Sequence, residues 1–356
     1  MICALDATYS LGRDPSGVAV YCNRIIQALA ESAPGDRFLL CYRANRFLRA
    51  LSSARSAPNC SRRLMEEFAP FLPPLHADLF HGLNQRLPNA RLRRAVTTFH
   101  DLFVMTGDYS TPEFRRRFSD LARDAAKRSG HVIAVSRFTA DQVVGELNYP
   151  AGQITVVHHG VDPVPEIAGA ALDAFRHKLG LEEPFLLHVG AIQTRKNILR
   201  LVEAFEGLPE RYSLVLAGSA GHGSREILER IEKSRARPRI RRLGYLTRDE
   251  LNHLYRTAAV LAFPSLDEGF GLPVIEAMSA GLPVVTSNGS ALKEIAGDAA
   301  LLVDPADTDG LRGALQEALE DASVRERLIA AGMRRAGEFD WPRAAQQTLA
   351  VYRRLM

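Results

Sequence analysis

An α/β fold of two doubly wound parallel-sheet domains, facing one another across a cleft, is what this sequence predicts, and three features carry the prediction. Short apolar runs ending in glycine or proline alternate with stretches of helical periodicity, the mark of repeated βα units. The alternation pauses between Pro163 and about Pro184, where proline, alanine and charge gather around one short helical stretch, DAFRHKLGL, and then resumes. The chain has 356 residues, beyond the size at which a single core keeps growing. Two Rossmann-like domains are therefore expected, residues 1–163 and 164–339, followed by an amphipathic helix over 340–356.

In the first half, ICALDA reads as a buried strand and TYSLGRDPSG as a loop of turn formers. Ser16 and Gly17 then precede VAVYCNRIIQALAES, whose Val20, Ile25, Ile26 and Leu29 recur at helical spacing. Further strands are expected at RFLLCY, DLFHG and RAVTTFH, with a helix over about Pro112–Arg128. His100 and Asp101 stand at the carboxyl end of RAVTTFH, where open α/β sheets place their ligands, although a lone histidine at a strand end is commonly structural. HVIAVS is a strand ending in a helix cap, Ser136, with Arg137 and Phe138 after it. In ITVVHHGVD, His158 and His159 point to opposite faces and make a poor metal pair.

Six strands are expected in the second half: PFLLHVG, SLVLAG, RIRRLG, AVLAFPS, LPVVTS and AALLVDP. Arg195 and Lys196 precede a helix that starts near Asn197, where cationic side chains and helix amides together suit a diphosphate; the plain alternative is a solvated pair. After AVLAFPS the loop LDEGFG carries two glycines that let backbone approach a ligand, and Pro273 suits the first turn of a helix, PVIEAMSA. Glu268 lies in that loop and Glu276 eight positions on in the helix. Asp307 and Asp309 form the one D-x-D, better explained as a helix cap than as a metal site.

Composition is that of a soluble globular protein, 46% hydrophobic and 24% charged. The opening MICALDATYS has neither a basic n-region nor a long apolar run, so a cytoplasmic protein is expected. Four cysteines in the first domain form no C-x-x-C pair and are expected to be reduced. Residues 1–165 carry 20 Lys/Arg against 15 Asp/Glu, near +5, while the remainder is near −1. The arginines cluster at 43, 46 and 49, at 62 and 63, at 91, 93 and 94, and at 115–117. Such clusters are commonly solvated faces; the functional alternative is an anionic membrane surface or a phosphate-bearing acceptor. Nucleic acid is not expected, because no aromatic residues are interleaved as a stacking platform.

The run EGFGLPVIEAMSAGLPVV closely resembles the E-x7-E signature of retaining glycosyltransferases of the GT-B fold, and specifically family 4. Resemblance extends over nearly the whole chain and is densest from Gly190 to Pro305. It implies that Glu268 holds a donor-sugar hydroxyl near the anomeric centre, that Glu276 accepts from the ribose hydroxyls, and that His100, of an HD pair with Asp101, orients the sugar. It also implies that Gly17, Arg195, Lys196 and the backbone of Gly269, Phe270, Gly271 and Leu272 serve the donor. Many members carry an arginine where this chain has Ala191, and the R-K-N run at 195–197 matches a subset that leans toward GDP-mannose over UDP-sugars. The C-terminal helix, with Trp341 as anchor, is implied to pack back on the first domain.

The implied activity is metal-independent transfer of a hexose, from a nucleotide diphosphate sugar that is co-substrate rather than cofactor, to a glycan or lipid-linked saccharide. A peripheral position on the inner face of the membrane follows from the basic first half. Two alternatives stay open: a nucleotide-sugar epimerase of the same fold, and a non-catalytic subunit of a polysaccharide-assembly complex. A dehydrogenase is disfavoured, because no G-x-G-x-x-G follows the first strand.

Overall fold

A computed structural model describes residues 1–11, 16–52, 57–65, 76–90, 92–181 and 183–356. Arg91 of the expected basic clusters and residues 12–15 of the expected glycine loop lie outside the described residues. The chain packs as two compact units. The first comprises residues 1–106, 112–160 and 339–356; the second comprises 161–338 together with 107–111.

The first unit contains β1 (Ile2–Asp6), α1 (Gly17–Ser32), β2 (Arg37–Arg43), α2 (Ala44–Ser52), β3 (Cys60–Met65), β4 (Leu79–Gly82), β5 (Ala95–Phe99) and α3 (Phe103–Thr106). It continues with α4 (Pro112–Arg128), β6 (His131–Ala134), α5 (Arg137–Leu147) and β7 (Ile154–Val156). The second unit contains α6 (Gly169–Leu179), β8 (Phe185–Val189), α7 (Ile198–Glu206), β9 (Ser213–Ala217), α8 (Ser224–Glu232), β10 (Ile240–Gly244) and α9 (Arg248–Thr257). Then come β11 (Val260–Phe263), α10 (Leu272–Ser279), β12 (Val284–Ser287), α11 (Ser290–Ala296), β13 (Leu301–Val303), α12 (Thr308–Glu320) and α13 (Ala322–Ala336). The last helix, α14 (Trp341–Arg354), returns to the first unit.

Both sheets are parallel, with strand orders β3-β2-β1-β4-β5-β6-β7 and β10-β9-β8-β11-β12-β13. The expected α/β fold of two doubly wound sheets is therefore present. In each sheet the order reverses once, between β1 and β4 and between β8 and β11. Such a reversal sends the flanking connections to opposite faces and opens a crevice beyond the carboxyl ends of the two strands. Strands β4, β5, β6, β8, β11 and β12 are buried at every position, because helices cover both faces.

Packing in the first unit joins distant parts of the chain. Tyr21, Ile25 and Leu29 of α1 share an apolar layer with Trp341, Ala345 and Leu349 of α14. Phe80, Phe99 and the alanines 122 and 125 of α4 form the layer on the opposite face. Gly160 lies against the start of α14: a Cβ there would stand 2.4 Å from the backbone nitrogen of Trp341, so only glycine fits.

Two expectations need correcting. The resemblance also implies that Ser136, Arg137 and Phe138 face the crevice, but Ser136 is fully buried, and its hydroxyl accepts from the Thr139 amide to cap α5 as expected. His158 and His159 do not lie on a strand, since β7 ends at Val156. They still diverge, His159 stacking on His100 and His158 approaching Phe339. Asp307 caps α12 through the Gly310 amide. The four cysteines are free thiols.

Candidate active site

The second unit's strand reversal gathers three charged side chains. A 3-10 turn, Thr194–Lys196, follows β8 and ends at Asn197, which takes a left-handed conformation (φ 57°). The side-chain Nδ2 of Asn197 donates to the carbonyls of Pro264 (3.1 Å) and Pro305 (2.8 Å), and the Leu266 backbone amide donates to the Arg195 carbonyl at 2.9 Å. These bonds fix the turn against the loop after β11. Lys196 then forms a short ion pair with Oε1 of Glu268, and Arg195 stands 3.2 Å from Oε2 while also donating to the Asp267 carbonyl.

All three groups are less than a tenth exposed. The solvated alternative for Arg195 and Lys196 is thereby excluded, for a long cation buries only when a partner compensates its lost hydration. Burial alone would raise the carboxyl of Glu268, but Arg195 and Lys196 outweigh it and hold the group at about 2. The Lys196 ammonium also sits 4.9 Å from the Phe263 ring centroid, a cation–π contact. Behind Phe263 stacks His188, which donates from Nδ1 to the Ala262 carbonyl and which burial keeps neutral, its value lowered to about 4.

Gly269, Phe270 and Gly271 are buried and lead into α10, with Leu272 half-buried as its first residue. Gly271 caps the helix with φ 97° and contributes no side chain to its amides. A Cβ at that position would come within 2.6 Å of Leu292, so backbone conformation and space both call for glycine. One turn further in lies Glu276. Arg248, the first residue of α9, donates to its Oε1 at 2.7 Å, and the Tyr255 hydroxyl donates to its Oε2 at 2.8 Å.

Sequence reasoning missed Arg248 and Tyr255. Tyr255 is indistinguishable from any core aromatic on an amphipathic helix. Arg248 carried a signal, because a cation in the first turn of a helix opposes the dipole and calls for a specific anionic partner.

The first unit holds the other predicted residues. Gly17 opens α1, whose Ser16 side chain accepts from the Ala19 amide. One turn on, Tyr21 packs edge-on against His100, ring centroids 4.7 Å apart. His100 donates from Nε2 to the Leu83 carbonyl at 2.9 Å, so Nδ1 is its acceptor nitrogen. Burial lowers its value to about 4 and keeps the imidazole neutral. Asp101 is half-buried, its carbonyl accepting from Gln85. Beneath His100 runs a buried chain, Tyr352–His81–Thr98–Tyr21, and at the end of β1 Asp6 pairs with Arg43 at 3.0 Å; none of these contacts was anticipated. No cluster of metal-ligating side chains occurs among the described residues.

Two family profiles match, Glycosyltransferase Family 4 over residues 15–164 and Glycosyl transferases group 1 over 171–335. The O-antigen chain mannosyltransferase B of Escherichia coli is 36% identical over 284 residues, which span 78% of this chain and 74% of that protein. Among solved structures, a sucrose-phosphate synthase from Thermosynechococcus elongatus superposes with a TM-score of 0.78 at 22% identity, covering 100% of this chain and 99% of that one. Anabaena HepE, in complex with UDP and glucose, superposes with a TM-score of 0.76 at 19% identity, covering 99% of each. Likenesses at such identities establish the fold. With both profiles matched, and a relative of this identity and span, the chain belongs to glycosyltransferase family 4 and is a glycosyltransferase of the GT-B fold.

Proposed function

We propose that the protein is a retaining glycosyltransferase that moves mannose from GDP-mannose to a hydroxyl of a growing saccharide, glycan or lipid-linked, in cell-surface polysaccharide synthesis. The observation that carries the reading is the buried group of Arg195, Lys196 and Glu268 at the carboxyl ends of β8 and β11, with Glu276 one turn into α10. A leaving diphosphate gathers negative charge while the sugar becomes oxocarbenium-like. Lys196, Arg195 and the first amides of α10 suit the diphosphate as preorganised stabilisation, and Glu268 suits a donor-sugar hydroxyl beside the anomeric centre. Glu276 suits the ribose hydroxyls, and the neutral imidazole of His100 suits a sugar hydroxyl through Nδ1. The acceptor oxygen bonds to the anomeric carbon on the face from which the phosphate departs, and the leaving phosphate oxygen takes the acceptor's proton. The mannose and polysaccharide assignments draw on the Escherichia coli mannosyltransferase relative.

Incubation of the purified protein with GDP-mannose, or with UDP-sugars, and an oligomannose acceptor tests the reading. An α-linked mannoside is expected, formed equally well in EDTA. Transfer of nothing from any donor, a β-linked product, or loss of turnover in EDTA with rescue by manganese would each count against it.

Attachment to an anionic membrane surface belongs to the same proposal. Arg116 and Arg117 are exposed on α4 and Arg115 is half-buried. No helix among the described residues is long and apolar enough to cross a membrane. Vesicles with anionic lipid should sediment the protein at low salt, less so near 1 M, where the Debye length falls to about 3 Å. Charge reversal of Arg115–Arg117 should release it without changing donor binding. Indifference to anionic vesicles at low salt would remove the membrane from the account.

A further inference from the structure

Glu276 is held from two sides by donors that do not belong to its own helix. Arg248 reaches Oε1 from the first turn of α9 and Tyr255 reaches Oε2 from two turns further along the same helix. A carboxylate offers about four lone-pair directions. The protein takes one on each oxygen, so each oxygen keeps the capacity to accept a further hydrogen bond. A pair of adjacent hydroxyls, each donating one hydrogen bond, matches that arrangement.

The two holders differ in kind. Tyr255 is 1% exposed and locked in the core. Arg248 keeps 47% of its side-chain surface while Glu276 keeps 10%. Arg248 therefore stands at the solvent side of the carboxylate, where an incoming ligand arrives. Its guanidinium cannot lose its proton, and its planar fork fixes the carboxylate's orientation in a way a lysine ammonium does not.

We propose that Arg248, with Tyr255 behind it, is the positioning residue that makes Glu276 selective for the 2′,3′-diol of a ribonucleoside diphosphate. The inference rests on the assignment of Glu276 to the ribose.

Calorimetry of GDP and 2′,3′-dideoxy-GDP, and of the corresponding uridine pair, on the wild type, Arg248→Gln, Arg248→Lys and Tyr255→Phe tests it. The wild type should prefer the ribonucleotide about tenfold or more, equivalent to about 1.4 kcal/mol. Arg248→Gln should lose most of that preference by weakening the ribonucleotide alone, with dideoxynucleotide affinity unchanged. Arg248→Lys should recover part of it, and Tyr255→Phe should lose part. Unchanged dideoxynucleotide binding also reports that the variant site is folded. A merely structural role for Arg248 would weaken both ligands alike, and that outcome, or an Arg248→Gln protein as selective as the wild type, overturns the inference while leaving Glu276 on the ribose. A wild type that binds both forms equally overturns the ribose assignment itself and the inference with it.

Discussion

Replacement of Lys196 by alanine is expected to lower donor turnover by one to three orders of magnitude. The ammonium is 7% exposed and lies at the carboxyl end of β8, between the Glu268 carboxylate and the Phe263 ring. It neutralises Glu268, a role Arg195 still fills once Lys196 is gone. The variant should fold and bind a nucleoside diphosphate. What it lacks is a charge already in place when the bond to the leaving phosphate lengthens. Loss of one such group costs about 2–4 kcal/mol of barrier in a site shielded from water. Single-turnover rates at saturating donor separate this from weaker binding. A variant with wild-type turnover would place the departing charge elsewhere.

The Glu268→Gln variant should lose stability rather than gain it, although it carries one charge fewer in a buried place. Glutamine leaves Arg195 and Lys196, both under a tenth exposed, without their shared carboxylate. Removing one side of such a group costs about 3–5 kcal/mol, because the remaining cations stay desolvated. The pH dependence gives a sharper check. Glu268 is held at about 2, below its ordinary value of 4.5, despite burial, by Arg195 and Lys196. Its contribution is thus present in full above about 4.5 and is lost as pH falls from there through about 2. The difference in urea midpoint between wild type and Glu268→Gln should be widest near neutrality and shrink below about pH 4.5. A gap that stays constant between pH 6 and 3 would show that the ion pairs do not set it.

Much of the fold was legible because both sheets are built from strands buried on two faces, and such strands read as unbroken apolar runs. The runs FLLHV, SLVLA and VLAF needed nothing beyond their own residues. Strand β3 escaped for the opposite reason. As an edge strand with Ser61 and Arg63 exposed, it reads CSRRLM and has no apolar run to find.

Within the candidate site the local parts were legible and the long-range ones were not. Glycines, proline and the eight-residue spacing of the glutamates lie in one stretch. The burial of Lys196 depends on a carboxylate 72 residues on, and the holding of Glu276 depends on Arg248, 28 residues back. His81 finds Tyr352 across 271 residues. Contacts of this reach leave no periodicity behind; only an arginine placed against a helix dipole hinted at one of them.

Helix α14 has a consequence for the order in which the protein is completed. It supplies Trp341, Leu349 and Tyr352 to the layer around α1 and closes the buried chain through His81. A ribosome delivers α1 early and α14 last, with the whole of 161–338 between them. At about 5–20 residues per second that interval, synthesis from Ser32 to Trp341, is on the order of 15–60 s. Through it, Ile25 and Leu29 of α1 lack the partner that covers them, while the second unit, continuous over 161–338, already has all but 107–111 of its sequence within that stretch and those five residues made beforehand. The half of the molecule synthesised first is the half finished last, and its exposed apolar layer is the surface a nascent chain of this protein most needs to keep from others.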